Sequence, residues 1–394
     1  MPFGHSIPRR LVALVMKYPF DKILFGPADI DPTKLPIGLS TGQETYVLGA
    51  FNPGFCRLPN GNTLMMVRVA EALKEARSGD TLGVLRFDAE KQKFEIDRYL
   101  AKDIDFSDPR KYRFKNAGPV YALSSLSWLL PVELDAQATS IVKIYYDKMI
   151  LPENKNQEYG VEDARITRID STYFMTVCAV SSGRHSTMLY SSDDGLNYEN
   201  LGLILDHQNK DILLFPEKIG GMYHALTRPQ GELYFIDADK ENVSGPGINI
   251  AASPDMLHWR PLDSVLMKPR KQDYLSRKVG SGAPPIRTDR GWLILYHGVS
   301  DDGLAGIYRT VWMILDLKNP QKIIREEISS PLLEANPELT RNYKSAIYLP
   351  DIVFTTGIVD SDNHYIVASG ELDLCCRITH IPHEVFTDKP ASTE

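Results

Sequence analysis

The stretch GVEDARIT, residues 160–167, places two adjacent acids and an arginine at the start of an apolar, strand-like segment. Glu162 and Asp163 stand side by side, and Arg165 follows two positions after the second acid. Such a group is either a solvated turn or the position of a catalytic acid. A carboxylate near cations has a lowered pKa, so Asp163 is expected to stay ionised until a bound substrate shields it.

Polar or charged residues also mark the ends of other strand-like segments. They are Asn52, Arg68, Lys210, Asp211, Arg228, Lys278 and His297. Three of them together suit the binding of phosphate: Arg228 has a planar guanidinium, Lys278 a compact charge, and His297 an imidazole whose donors depend on its protonation. Any one of these residues could be polar simply because a strand end reaches solvent. The hypothesis of a phosphate site therefore depends on the whole group.

One acid beside an anion site predicts a particular chemistry. Ordinary glycosidases need two carboxylates, one as the acid and the other as the base or nucleophile. Where phosphate itself attacks the sugar, one acid and an anion site are enough. The residue types therefore favour an inverting glycoside phosphorylase, with Asp163 as the acid.

Five copies of a strand–turn–strand pattern are expected to position these residues. In each copy an apolar segment is followed by a polar or glycine turn and a second strand of about six to eight residues. The turn and second strand of the five copies begin at Asn60, Asp170, Gly220, Arg290 and Asp362. The start of the first strand of a hairpin lies beside the end of the second, so the polar residues should share one face.

The repeat predicts an all-β fold, and specifically a five-bladed β-propeller, with a β-sandwich as the alternative. Residues 190–205 and 251–267 share a Ser-x-Asp turn, an aromatic residue and an apolar strand, which indicates an outer strand pair. We expect one domain over residues 1–394, with a large insertion at about 78–158 and peripheral terminal segments. Within that insertion, residues 120–134 are either a helix or a strand near the acceptor side.

Two further segments carry local patterns. Residues 69–77, VAEALKEAR, have a short helical spacing of apolar side chains. Residues 9–20, RRLVALVMKYPF, predict a short helix or strand packed on the domain, because they lack the apolar region and cleavage site of a signal peptide.

Composition excludes some partners. The chain has 394 residues, 43% hydrophobic and 24% charged, and its net charge of -7 argues against a nucleic-acid partner. It has no apolar run of about 18 residues, so no membrane span is expected. Its cysteines have no metal-binding spacing and predict buried free thiols in a reducing cytoplasm; they are Cys56, Cys178, Cys375 and Cys376. No metal or organic cofactor is implied, and a homo-oligomer is compatible with the sequence.

Four segments resemble glycoside hydrolase family 130. They are FNPG at 51–54, GVEDARIT at 160–167, LFPEKIGGMYHALTRP at 214–229 and KVGSGAPPIRTDRGWLILYHGV at 278–299. The similarity runs from about residue 50 to 320, with a weaker match in SGELDL at 369–374. Members of that family are five-bladed propellers that act on β-mannosides, mostly as phosphorylases that release α-mannose 1-phosphate.

The resemblance implies a role for each matching residue. Asp163 would be the general acid, with its proton passed to the glycosidic oxygen through the mannose 3-hydroxyl. Asn52 and Arg68 would contact the sugar, with Tyr308 and Asp373 as further candidates. The implied phosphate ligands are Arg228, Lys278, His297 and, in a helping role, Lys210. Glu162 would bind a sugar hydroxyl or cap the turn, and Arg165 would orient the acidic pair or form a structural salt bridge.

The chain also departs from the family pattern. Phosphorolytic members often have Arg-Asn where this chain has Lys210-Asp211, and Asp211 would repel the anion if it pointed inward. A minority of the family hydrolyse β-1,2-mannosides with glutamates that activate water, and the candidate bases here are Glu217, Glu162 and Glu371. Three hypotheses therefore stay open: a phosphorylase of β-1,2- or β-1,4-mannosides with inorganic phosphate as co-substrate, a β-1,2-mannosidase, and a non-catalytic glycan-binding propeller.

Overall fold

The computed structural model describes residues 17–117, 121–205, 207–230, 246–270, 273–300, 303 and 305–387. Within these residues the elements are β-strands, one six-residue α-helix and short 3-10 turns, which confirms the predicted all-β fold. Most of the predicted N-terminal element, residues 9–16, lies outside the described part of the chain. No helix among the described residues is long and apolar enough to cross a membrane.

The first part of the chain forms one hairpin and two small sheets. Strand β1 (Phe20–Phe25) and helix α1 (Pro36–Thr41) precede the hairpin of β2 (Thr45–Arg57) and β3 (Thr63–Leu73). One small sheet consists of β4 (Arg77–Ser78), β5 (Thr81–Asp88) and β6 (Lys93–Leu100). The other consists of β7 (Ile104–Asp105), β8 (Lys111–Phe114) and β9 (Tyr121–Leu123). Next, β10 (Leu126–Leu134) pairs antiparallel with β3 and with β11 (Ile141–Ile144).

These strands correct one expectation and bear on two others. The helical pattern at 69–77 is wrong up to Leu73, because β3 has a hydrogen-bonded neighbour on each side, β2 and β10, and is buried along nearly its whole length. Strands β10 and β11 lie within the predicted insertion of 78–158 and pair in the same sheet as β2 and β3. The segment between β3 and β10, residues 74–125, is called the inserted segment below, and the predicted insertion itself stays a prediction. For residues 120–134, the strand alternative is confirmed over 126–134.

Four more antiparallel units follow. Unit two contains β12 (Gly160–Ile169), β13 (Thr172–Val180), β14 (His185–Ser192) and β15 (Glu199–Leu205). Unit three contains β16 (Asn209–Leu214), β17 (Tyr223–Pro229), β18 (Ile248–Ser253) and β19 (Arg260–Met267). Unit four contains β20 (Lys278–Ser281) and β21 (Ile286–Thr288), both paired with β22 (Gly291–Ser300), then β23 (Ile307–Leu315) and β24 (Ile323–Glu327).

Unit five contains β25 (Val353–Asp360), β26 (His364–Glu371) and β27 (Cys375–Pro382), with the N-terminal strand β1 paired on its outer edge. All five predicted hairpins are therefore present: β2–β3, β12–β13, β16–β17, β20/β21–β22 and β25–β26. The predicted outer strand pairs are also present as β14–β15 and β18–β19. Their Ser-x-Asp turns are structural, since Asp194 and Asp255 each accept hydrogen bonds from two backbone N–H groups of the turn.

The first strands of the units pack closely on one another. Strand β2 contacts both β12 and β25. Thr356 in β25 donates to the carbonyl of Pro53 in β2 at 2.7 Å. A Cβ at Gly357 would lie 2.1 Å from Cβ of Phe55, so only glycine permits this approach of β25 to β2. Close packing of these strands gathers the polar residues at their ends into a small volume.

Asn52, Asp163 and Asp211 occupy corresponding positions in units one to three. Their φ angles are 48°, 51° and 55°, in the left-handed region that Asn and Asp tolerate better than most residues. Each lies where the register of the hairpin shifts, so that an extra residue interrupts the ladder and bends the strand. A repeated bulge therefore brings one amide and two carboxylates to the same end of three neighbouring strands.

Candidate active site

A cavity of about 450 Å³ lies at this end of the first strands. Its wall includes residues of β2, β3, β12, β16, β17, β20, β23 and β25, together with Arg110 and Tyr121 from the inserted segment. The predicted site residues that line it are Asn52, Arg68, Glu162, Asp163, Lys210, Arg228, Lys278, Tyr308 and Asp373. The described residues contain no group of His, Cys, Asp and Glu side chains arranged to hold a metal ion.

Asp163 is held by two donors on one oxygen. Asn52 Nδ2 donates to Oδ1 at 3.0 Å and Arg68 Nη1 donates to the same atom at 2.9 Å. Burial alone would raise the pKa of Asp163, but the charges of Arg68, Arg165 and Lys210 outweigh burial and hold that pKa below its usual range. Among the described residues, none donates to Oδ2, which leaves that oxygen for a bound sugar.

Glu162 shares its cations with Asp163. Its Oε1 accepts from Arg68 Nη2 at 2.8 Å, and its Oε2 accepts from Lys210 Nζ at 3.3 Å. Burial opposes ionisation of Glu162, yet Arg68 and Lys210 lower its pKa overall. Both of its oxygens therefore already carry charged hydrogen bonds.

Arg165 supports the backbone rather than the acidic side chains. Its Nη1 donates to the carbonyl oxygen of Asp163 at 2.8 Å, and its Nε donates to the carbonyl oxygen of Gly282 at 2.7 Å. The nearest carboxylate contact is Asp211 Oδ1, 3.9 Å from Nη2. This buried arginine fixes the bulge that presents Asp163 and ties β12 to unit four.

Two of the cations expected to bind phosphate, Arg228 and Lys278, line the same cavity as Asp163. Arg228 Nε lies 3.0 Å from Asp211 Oδ2. Lys278 Nζ lies 4.8 Å from the centre of the Tyr308 ring. Burial, reinforced by the positive charge of Arg228, lowers the pKa of Lys278 to about 7. The two residues thus provide one permanent cation and one that titrates near neutral pH.

His297 lies behind Arg228, and the cavity wall as described does not include it. Arg228 Nη1 is 3.2 Å from His297 Nε2, so the neutral imidazole accepts a hydrogen bond there. Burial, together with the charges of Arg228, Lys278 and Arg165, holds the pKa of His297 well below its usual range. The structure therefore places His297 against Arg228, one residue back from the cavity, and its role as a phosphate ligand stays a prediction.

Asp373 and several residues without a sequence signal complete the wall. Burial and the nearby charge of Asp163 raise the pKa of Asp373 to about 6, against the opposing Arg68. The sequence analysis missed the lining residues His185, Arg110, Tyr121, Tyr348 and Phe354. His185 begins the third strand of unit two, and burial and the charge of Lys210 lower its pKa to about 4.

Two of the three candidate bases lie outside the cavity. Glu217 is half exposed and pairs with Arg287. Glu371 is fully buried, with Oε2 3.1 Å from Arg377 Nη1 and Oε1 accepting the N–H of Asn336 at 2.6 Å. Of the three, only Glu162 lines the cavity. It lies near the start of β12, at the cavity end of the strand, whereas Glu217 follows the opposite end of β16.

Comparisons with known proteins agree with this geometry. A family model described as beta-1,4-mannooligosaccharide phosphorylase matches residues 121–388. The beta-1,2-mannobiose phosphorylase of Listeria innocua is 32% identical over 367 residues, which cover 90% of this chain and 96% of the relative. The 1,2-beta-oligomannan phosphorylase of a Thermoanaerobacter species is 34% identical over 229 residues, 57% of this chain and 69% of the relative.

The solved structure of the Listeria innocua enzyme in complex with β-1,2-mannobiose has a TM-score of 0.76 and 29% identity, and the match covers 92% of this chain and 96% of that one. A solved structure from work on family 130 glycoside hydrolases that target β-1,2-mannosidic linkages in Candida mannan has a TM-score of 0.59 at 17% identity, which shows a similar fold alone. The family model and these relatives are all of carbohydrate-active enzymes. The chain belongs to glycoside hydrolase family 130, as its quoted segments predicted.

Proposed function

We propose that the protein is an inverting β-mannoside phosphorylase that cleaves β-1,2-linked mannosides with inorganic phosphate and releases α-mannose 1-phosphate. The observation that carries the proposal is the presence in one cavity of the acid Asp163 and the cations Arg228, Lys278 and Lys210. Attack by phosphate needs one acid and an anion site, whereas attack by water also needs a protein base. The β-1,2 linkage is supported by the Listeria innocua relative, which matches most of the chain.

Before the sugar binds, the charges of Arg68, Arg165 and Lys210 keep Asp163 ionised. A bound sugar excludes water and moves solvent away from the carboxylate, which favours its protonated form. Asp163 then supplies a proton to the departing glycosidic oxygen, by way of the mannose 3-hydroxyl. A phosphate oxygen forms the new bond to C1 from the opposite face as the old C1–O bond breaks, which inverts the anomeric configuration. Arg68 and Asn52 hold Oδ1 in place, and this fixed geometry lowers the barrier.

We propose that the five units close into a five-bladed β-propeller that forms a single domain. Two features support closure: β1 supplies the last strand of unit five, and β2 packs against both β12 and β25. In such a propeller the cavity surrounds one end of the central axis. The cysteines Cys56, Cys178, Cys375 and Cys376 are all buried and unpaired, which supports a reducing compartment, the cytoplasm.

Hydrolysis is the second candidate, because Glu162 stands beside Asp163 in the cavity. A general base needs an oxygen free to accept a proton from water. Both oxygens of Glu162 are engaged by Arg68 and Lys210, and its pKa is lowered, so it is a weak base. Glu217 and Glu371 lie away from the cavity. These positions favour phosphate over water as the attacking group.

Synthesis in the reverse direction tests the proposal. The protein is incubated with α-mannose 1-phosphate and mannose, free phosphate is measured, and the linkage of the product is determined by NMR. We expect phosphate release that depends on mannose, and a β-1,2-linked disaccharide. Absence of release from a protein that liberates mannose from β-mannosides would indicate a hydrolase, and absence of turnover in both directions would indicate a glycan-binding module.

A further inference from the structure

Asp211 is a carboxylate within the proposed anion site. It lines the cavity, and its side chain is 1% exposed. Oδ2 lies 3.0 Å from Arg228 Nε and 3.8 Å from His297 Nε2. A negative charge at this place repels any anion that brings only lone pairs to it. The ligand of the site must therefore offer something that a carboxylate attracts.

Oδ2 of Asp211, the oxygen nearest Arg228 and His297, has unused hydrogen-bonding capacity. Oδ2 of Asp211 and Nε of Arg228 are both buried, and neither makes an aligned hydrogen bond to the described residues, although the two atoms form an ion pair. Burying a polar atom without a hydrogen bond costs free energy, so a ligand or a water molecule is expected to supply the missing partner. An ionised carboxylate can only accept, so its missing partner is a donor.

We propose that Asp211 is a specificity determinant of the anion site, with Oδ2 accepting a hydrogen bond from a P–OH group of inorganic phosphate. The inference rests on the proposed phosphorolytic function. Near neutral pH every form of inorganic phosphate carries at least one P–OH, whereas sulfate, of the same shape, carries none. In this arrangement the cations bind the oxyanion and Asp211 selects for the hydroxyl. A site built to pair with a ligand hydroxyl strongly rejects an analogue that lacks it.

A purely structural role for Asp211 predicts a different result. If the carboxylate only held Arg228 in place, its loss would alter the binding of phosphate and of sulfate by similar factors. If Oδ2 receives the P–OH, its replacement by an amide, which has N–H donors, removes the penalty for sulfate. The ratio of the two affinities therefore separates the two roles.

The test measures competition by sulfate in phosphorolysis of β-1,2-mannobiose, with ionic strength held constant by chloride. In the unaltered protein we expect sulfate to bind about 100-fold more weakly than phosphate, since it lacks the hydroxyl. In Asp211→Asn we expect that ratio to fall by about tenfold or more. Asp360→Asn, which alters an exposed acid beside His383, is the matched control and should keep the ratio.

Several outcomes would overturn the inference. Sulfate that bound the unaltered protein nearly as tightly as phosphate would overturn the inference. This outcome needs no variant, so it holds even if Asp211→Asn fails to fold. An unchanged ratio in a folded Asp211→Asn would assign the residue to support of Arg228 alone. Turnover to free mannose at a rate independent of phosphate would instead overturn the proposed function, and this inference with it.

Discussion

Arg68 donates one hydrogen bond to Asp163 and a second to Glu162, at 2.9 and 2.8 Å. A single planar guanidinium thus spans two adjacent carboxylates that stand on one bulged strand. The arrangement fixes the direction of both side chains and lowers the pKa of each. It also confines the proton donor to one free oxygen, Oδ2 of Asp163.

Replacing Arg68 with lysine tests this arrangement. An ammonium group is a compact charge that cannot span both carboxylates, so Arg68→Lys should weaken the positioning of Asp163. We expect kcat/KM for β-1,2-mannobiose to fall by an amount equivalent to about 1.5–3 kcal/mol, the usual contribution of a charged hydrogen bond. Arg287→Lys, at the exposed pair with Glu217, is the control and should leave the rate unchanged. Equal rates for Arg68→Lys and the control would contradict the role of Arg68.

Truncation of Arg228 and of His297 should have unequal effects. Arg228 lines the cavity, whereas His297 lies behind it and accepts its hydrogen bond. We expect Arg228→Ala to raise the KM for phosphate by a factor equivalent to about 2–3 kcal/mol, and His297→Ala to raise it less. Initial rates over a range of phosphate concentrations provide the measurement. An unchanged KM for phosphate in both variants would remove these residues from the anion site.

The affinity for phosphate should depend on pH through Lys278. The pKa of this lysine is lowered to about 7, chiefly by burial and by Arg228, while Asp211 opposes the shift. The ammonium group is therefore charged below about pH 7 and loses its charge as the pH rises through that value. We expect phosphate affinity of the free protein to fall above pH 7.

Lys278→Arg supplies the control for this pH dependence. Its guanidinium stays charged throughout the range, so only the ionisation of phosphate itself should remain in its profile. The measurement is the KM for phosphate between pH 6 and 9, a range of about three units around the shifted pKa. Parallel profiles for the two proteins would show that Lys278 does not titrate in this range.

Glu371 should matter for stability and not for turnover. Its two oxygens accept from Arg377 and from the N–H of Asn336, so Glu371→Gln leaves one of these two buried donors facing an amide NH2 group in place of an acceptor. We expect the free energy of unfolding to fall by about 1–3 kcal/mol, with the rate per folded molecule unchanged at 25 °C. Chemical denaturation and initial rates measure the two quantities. Loss of turnover at unchanged stability would instead revive Glu371 as a base for hydrolysis.

The sequence predicted the hairpins and much of the site because both repeat. Asn52, Asp163 and Asp211 stand at corresponding strand ends in three units, as the repeated hairpin predicted, whereas the bulge at each position is known only from the structure. Glu217 and Glu371 could not be assigned in that way, because their partners Arg287 and Arg377 are known only from the packing.

The inserted segment has no internal repeat to guide an assignment. Arg110 and Tyr121 therefore line the cavity without having been predicted. Arg110 lies in the turn before β8, and Tyr121 begins the three-residue strand β9, which is too short to recognise from the sequence. The helical spacing at 69–77 failed for another reason. The segment up to Leu73 is flanked by β2 and β10, and sheet pairing over that length overrides a weak local preference.

The most direct test is product analysis with β-1,2-mannobiose in the presence and absence of inorganic phosphate. Asp163→Asn serves as the inactive control, with an expected loss of about 10²–10⁴-fold because an amide cannot donate the catalytic proton. We predict that the unaltered protein forms α-mannose 1-phosphate, and only when phosphate is present. Free mannose released at the same rate with and without phosphate would contradict phosphorolysis and make water the attacking group.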